Sequence, residues 1–199
     1  MELIQILGFL VIVLFYGSYF EKMLSQRRHG ITTDRMGRGE KPKHTLRIEV
    51  LLKVITFTMT AVQLLSIIVN AKWFLLAYSN TLRYVGIVIA LSGVTVFIIA
   101  MITMRESWRA GVDSSQKTTL VKDGIYRFSR NPAFLGFDLF YIGFTAAFSN
   151  ALQICFLLLS VTVLHLQIIE EEKFLPTVFG EEYINYKRKT GRYFSIKGR

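Results

Sequence analysis

Residues 139–169 read LFYIGFTAAFSNALQICFLLLSVTVLHLQII, 31 consecutive positions without Asp, Glu, Lys or Arg. As one straight helix at 1.5 Å per residue they would reach roughly 46 Å, well beyond a hydrocarbon core of about 30 Å. Ser149 and Asn150 sit near the middle and are turn formers, so the stretch predicts a helical hairpin, with one span over about 133–148 and the next over 151–169. Three more runs without formal charge, 3–20, 54–71 and 84–104, are each 18 residues or longer and could also cross a bilayer. The expected fold is all-α: an integral membrane bundle of five transmembrane helices, with no repeat or low-complexity segment to divide the 199 residues into more than a single domain.

Composition leads to the same class. The chain is 52% hydrophobic, 14% aromatic and 19% charged, with mean hydropathy +0.39, too apolar for an ordinary soluble domain. The apolar content excludes disorder, and one cysteine, Cys155, with three prolines excludes disulfide-stapled and collagenous folds. The net charge of +10 would suit nucleic acid in a soluble protein, but in a membrane chain the cations report topology. With five spans one side collects 22 of the 24 Lys and Arg residues, whereas four spans would split them 15 to 9. Basic loops stay in the cytosol, so the N-terminus is expected outside and the C-terminus inside. No nucleic-acid partner is expected; membrane lipids are. Met1 and Glu2 supply no basic n-region, so the first run reads as an anchor and not as a cleavable signal. The localisation expected is a multi-pass membrane protein, in the cytoplasmic membrane of a prokaryote or the endoplasmic reticulum of a eukaryote.

Between the spans, 24–46 carries Gly30, Gly37, Gly39 and Pro42 among charges and reads as a cytosolic loop. Gly86, Ala90 and Gly93 lie close to one face of the third span and point to close helix packing. Gly136 and Gly143, seven apart, share a face of the fourth, which would serve packing or the close approach of a cofactor equally well. After Glu170 the pattern changes to Phe174, Leu175, Val178, Phe179, Tyr183 and Tyr186 between an acidic and a basic run, as in a cytosolic interfacial helix. Pro176 is expected to end or kink the fifth helix, Gly180 offers a second bend, and the tail could fold back as a lid.

Ionisable groups near the last two spans are the candidates for chemistry. Glu170, Glu171 and Glu172 repel one another at the negative pole of a helix, which suggests a cationic partner over a merely solvated cap. Asp138 could pair with Arg130 or serve function, with equal weight. A lone His165 most often makes a hydrogen bond across a bundle, and it has no Cys or His nearby for a metal. No Walker loop, zinc-protease helix or dinucleotide fingerprint is present.

The run from Leu120 to Gly136, with Gly124, Tyr126, Arg130, Asn131 and Pro132, resembles the signature of the integral-membrane methyltransferases. That family includes the isoprenylcysteine carboxyl methyltransferases and the phospholipid N-methyltransferases. A second motif follows 35 residues after Gly136: Glu171 and Glu172, then Phe174, Leu175, Phe179, Gly180, Tyr183 and Tyr186, with Arg192 near the end. The resemblance covers roughly 105–194 and implies S-adenosylmethionine as cofactor, held at the cytosolic mouth of the last two helices under the C-terminal segment. By the same resemblance Tyr126, Arg130, Asn131, Pro132, Gly136, Glu171, Glu172, Tyr183 and Tyr186 would line the cofactor, and Arg130 and Asn131 would act in catalysis. The glutamates would meet the cofactor's ammonium and sulfonium, Arg130 could clamp a carboxylate, and Tyr126 could offer a hydroxyl or a ring face.

Asn131 stands where the family has His, and Phe134 where it has Tyr. Asn cannot titrate, which leans toward an acceptor that needs no deprotonation, such as a carboxylate on a lipophilic molecule arriving sideways from the bilayer. Two alternatives stay open from the sequence: a membrane sterol- or steroid-type reductase using NADPH, and a non-catalytic lipid-binding protein of the same fold.

Overall fold

A computed structural model describes residues 2–38, 40–70, 75–76, 79–111 and 118–195, and every extended regular element in them is helical. Five α-helices follow in order: α1 Leu3–Arg28, α2 Lys43–Ile68, α3 Asn80–Met104, α4 Pro132–Ala147 and α5 Ala151–Lys189. Short 3-10 turns at Arg105–Ser107 and Gly124–Arg127 punctuate the long connection between α3 and α4. Four helices are long and apolar enough to cross a membrane, and α4 is a shorter apolar helix of 16 residues. At 1.5 Å per residue α4 rises about 24 Å.

The chain reverses between α4 and α5 at Phe148–Asn150. There the Asn150 side chain caps α5 by accepting the Gln153 amide at 3.0 Å, satisfying a donor that a helix start leaves free. The first two helices run farther than the uncharged windows, α1 to Arg28 and α2 from Lys43, because polar side chains on their extended turns find partners. Gln26 reaches the Trp108 carbonyl at 3.1 Å, and the fully buried Glu49 holds Lys41 at 2.8 Å and the Gly37 amide at 2.8 Å. The loop between them is therefore 29–42. Of the run 54–71, Ala71 lies outside the described residues.

α3 and α4 pack along their whole length through glycines. A Cβ on Gly136 would stand 2.9 Å from the Gly93 carbonyl, and one on Gly143 would stand 2.5 Å from that of Gly86. The four glycines thus let two backbones touch, as small residues do in membrane bundles. Phe15 of α1 stacks on Phe140 of α4 at 4.0 Å between ring centroids and lies 4.7 Å from Phe97 of α3, filling the space beside that contact. α5 packs instead on α2 and is laced to it at both ends: Ser66 accepts from Asn150 and Gln153, and Thr45 donates to Glu170 at 2.7 Å. α4 and α5 meet over only a short stretch.

Two expectations for α5 change. The helix continues through Pro176, and its non-helical residue is Gly180, at φ 54° and ψ −135°. Gly tolerates this backbone and an L side chain does not, so the bend falls there; proline removes only one helical hydrogen bond. The final turns are not a free interfacial helix either, since Tyr183 and Tyr186 are buried against the protein. Beyond Lys189, residues 190–195 fold back as a strap over the 124–131 segment: Arg130 N–H donates to the Gly191 carbonyl at 3.0 Å and Ser195 N–H to that of Phe128 at 2.7 Å.

Candidate active site

The approach to α4 is built by local rules. Ser129 Oγ accepts the Asn131 amide at 3.1 Å, Asn131 occupies the cap position, and Pro132 takes the first helical position, where its missing N–H costs nothing. The Asn131 side chain is thereby free of capping and turns to α5, donating to Glu172 Oε1 at 3.4 Å and to the Arg192 carbonyl at 3.2 Å.

Glu172 is the centre of the cluster. Arg130 donates to its Oε1 at 2.7 Å, Arg192 donates to its Oε2 at 3.0 Å, and Lys187 stands 3.6 Å away. Burial pushes this carboxyl upward, but hydrogen bonds from Arg192 and Arg130 outweigh it and hold it at about 2. Arg130 also donates to the Lys187 carbonyl at 3.0 Å and to the Thr190 carbonyl, so it caps the end of α5 as well. One buried carboxylate therefore joins the start of α4, the end of α5 and the strap.

The three glutamates have separate fates. Glu170 accepts from Thr45 and Lys173 at 2.7 Å each; burial raises it, and these bonds bring it below the ordinary carboxylate range. Glu171 has no cation at hydrogen-bond distance among the described residues. Its one partner is Gln167, which donates at 3.1 Å, and burial, aided by the nearby Glu49 charge, pushes it up to about 7. Within the acidic run, Glu170 and Glu172 meet cations from α5, the 130 loop and the strap, whereas Glu171 has none at hydrogen-bond distance among the described residues.

Of the other predicted positions, Tyr126 is buried and its carbonyl accepts the Tyr186 hydroxyl at 2.6 Å. Tyr183 is buried beside Arg130 and Glu172, its phenol pushed up to about 12 chiefly by burial. Arg130, Asn131, Pro132, Tyr126, Glu171, Glu172, Tyr183 and Tyr186 therefore gather around the start of α4, beside α5 and the strap. Gly136 does not join them, because it faces α3, where a Cβ would stand 2.8 Å from the Phe97 amide nitrogen. Sequence reasoning missed Gln167 and Lys187, which carry no motif, and Glu49, whose signal was a single acid at the head of an apolar helix.

The description "Isoprenylcysteine carboxyl methyltransferase (ICMT) family" belongs to the family model that matches residues 84–177. Among curated proteins, the protein-S-isoprenylcysteine O-methyltransferase of Saccharomyces cerevisiae is 34% identical over 109 residues, covering 53% of this chain and 46% of the relative. That of Rattus norvegicus is 32% identical over 136 residues, 65% of this chain and 47% of the relative. The chain thus spans about half the length of these relatives. Among solved structures, a eukaryotic intramembrane Ras methyltransferase, isoprenylcysteine carboxyl methyltransferase, superposes with a TM-score of 0.62 at 22% identity, covering 94% of this chain and 64% of that one. From α3 to the acidic run of α5 the chain is accordingly similar in sequence to the isoprenylcysteine carboxyl methyltransferase family, and its helical bundle shares the fold of that solved relative.

Proposed function

We propose that this chain transfers a methyl group from S-adenosylmethionine to the carboxylate of a lipophilic, membrane-borne acceptor of the isoprenylcysteine type. The observation that carries the reading is the convergence of two motifs, 35 residues apart in sequence, on one cluster in which one carboxylate, Glu171, has no cation at hydrogen-bond distance among the described residues. The donor set fits the cofactor. Glu171 is a half-buried carboxylate with one hydrogen bond, and the Oε1 of its neighbour Gln167 is buried without a partner, so a cationic, hydrogen-bond-donating group would satisfy both. Bound there, S-adenosylmethionine would supply a methyl group made electrophilic by its sulfonium.

The chain's own residues bind and enclose. Glu171 and Gln167 orient the positive groups, Tyr126 and Tyr183 wall the site, and the strap, held by Arg192 on Glu172, keeps water out. Alignment in a dry site is the main requirement of such a displacement. A carboxylate oxygen attacks without losing a proton, so Asn131 serves as a hydrogen-bonding bridge to Glu172 where an ammonium acceptor would need a base. The bundle lies in the membrane as five spans, N-terminus outside and C-terminus in the cytosol, with the short α4 crossing in the lee of α3. The distribution of Lys and Arg supports this orientation, and it sets the cluster at the cytosolic surface, where a soluble cofactor is at hand.

Calorimetric titration of the detergent-purified protein with S-adenosylhomocysteine tests the proposal. Saturable binding that weakens in Glu171→Gln is expected; absence of binding sinks it. Incubation with methyl-labelled cofactor and a lipid extract then identifies the acceptor, and a labelled product stable to mild alkali would rule out a carboxyl ester.

A further inference from the structure

Among the described residues outside the five helices, the large apolar side chains left exposed are Leu76, at the Ser149 end of the bundle, and Phe128 and Phe194, at the other end. Phe128 is 64% exposed and Phe194 69%. The two belong to neighbouring stretches of backbone, since Ser195 N–H donates to the Phe128 carbonyl at 2.7 Å. Apolar surface of this kind, away from any helix face, marks a place that something covers.

Two observations put this pair at the level where a bilayer ends. Tyr193, next to Phe194, reaches His165 with its hydroxyl 2.7 Å from Nδ1, and His165 lies within the uncharged run 139–169, four residues before its end. Phe128 precedes α4 by four residues, and α4, at about 24 Å, is shorter than a hydrocarbon core of about 30 Å, so the core reaches past its ends. The surroundings are basic: segments 122–130 and 181–195 carry seven Lys and Arg residues against three acids, Asp123, Glu181 and Glu182. Arg130, Arg192 and Lys187 stand at Glu172, and Lys122 pairs with Glu182. Arg127, Arg188 and Lys189 are exposed and make no ion pair among the described residues.

We propose that Phe128 and Phe194 dock the strap onto the surface of the membrane that holds the bundle, with Arg127, Arg188 and Lys189 drawing it to anionic lipid headgroups. Aromatic rings favour the boundary between water and hydrocarbon, and cations just outside it are attracted to negative headgroups while they keep their own hydration. An anionic lipid surface therefore answers the exposed rings and the unpaired cations together. The strap is then anchored on two sides, inward by Arg192 on Glu172 and outward by Phe194 in lipid. The docking goes beyond the methyl-transfer reading and needs no cofactor.

The test places a nitroxide at residue 194, through Phe194→Cys in a Cys155→Ser background, on the full chain in nanodiscs of phosphatidylcholine with and without about 30% phosphatidylglycerol. A second label, through Glu181→Cys, gives the value for an exposed polar position. Collision with oxygen, which concentrates in lipid, against collision with a nickel chelate, which stays in water, reports depth. In the anionic discs the label at 194 should favour oxygen about fivefold more than the label at 181. That preference should fall about twofold or more in phosphatidylcholine alone and in the triple variant Arg127→Gln, Arg188→Gln, Lys189→Gln. Equal values at 194 and 181 overturn the proposal, as does a value at 194 that ignores either lipid charge or the triple substitution. Spin–spin broadening at 194 would assign the patch to a second copy of the chain and overturn it too. In the unsubstituted chain, tryptic cleavage after Arg188 and Lys189 should be about fivefold slower in the anionic discs, and equal cleavage in both discs also overturns the docking.

Discussion

α4 has two neighbours and treats them in opposite ways. Toward α3 it offers Gly136 and Gly143, and the backbones close until there is no room for a methyl group. Toward α5 and the strap its first turn is entered through Asn131, and charged and polar side chains from three segments meet there. The first contact is built on bare backbone, with Arg83 of α3 donating to the Ala147 carbonyl of α4 at 3.0 Å. The second holds carboxylates with very different surroundings, Glu172 bound by Arg130 and Arg192, and Glu171 with no cation at hydrogen-bond distance among the described residues. One face of the helix is held by bare backbone, the other by a network of charged and polar side chains.

The sharpest way to break the comparison is at Glu172. Glu172→Ala strands the buried Arg130 and the half-exposed Arg192 without their shared counter-charge, and removing one partner of a buried ion pair costs about 3–5 kcal/mol. A large fall in Tm is expected, together with proteolytic cleavage in 190–195 as the strap releases. An unchanged Tm would mean that the polar side is not structural at all.

Next is the glycine side, where Gly143→Leu forces α3 and α4 apart because even a Cβ would meet the Gly86 carbonyl at 2.5 Å. Overpacking of this kind costs about 1–3 kcal/mol or more. The Tm should drop, while the pH dependence of S-adenosylhomocysteine binding in the protein that remains folded should not move.

Glu171→Gln separates binding from stability, with cofactor affinity falling about tenfold and Tm changing little. In the wild type the carboxyl sits at about 7, and only its charged form attracts a cation, so affinity should rise from about pH 6 to pH 8 and this rise should vanish in the variant. The two glutamates also pull stability in opposite directions. Glu171, raised by burial, contributes most at low pH, and its contribution is lost as pH rises through about 7. Glu172, held at about 2, contributes above the ordinary carboxylate range and loses its contribution as pH falls toward 2. A thermal-melt series across pH with each variant resolves both limbs.

The smallest effect belongs to Lys122→Ala. It breaks an ion pair with Glu182 whose side chains are 44% and 54% exposed, and such pairs are worth about 0–1 kcal/mol. No measurable shift in Tm or in cofactor affinity is expected, and a clear loss of cofactor binding would extend the polar site to the outer edge of the strap region.

Much of the bundle is legible in the amino-acid sequence. The hairpin turn at Ser149 and Asn150 follows from an apolar run too long for one crossing, and the small-residue face of α3 follows from the spacing of Gly86, Ala90 and Gly93. The spacing of Gly136 and Gly143 does not say whether their bare backbone serves a cofactor or a helix; their contact with α3 assigns them to packing. The bend at Gly180 instead of Pro176 is also hidden, since proline and glycine both signal a break and only the packing of Tyr183 and Tyr186 decides which is used.

By itself the sequence determined the all-helical membrane class, the places where the chain turns, and the two motifs that converge, because hydropathy, turn chemistry and charge bias act over short stretches. Which carboxylate meets a cation and which does not was a tertiary matter. Glu170, Glu171 and Glu172 are chemically identical neighbours, and their difference arises from Thr45 of α2, Arg130 before α4 and Arg192 of the strap, residues up to 125 positions away. Electrostatic character at these distances depends on what surrounds a group in space, and only the folded bundle sets that.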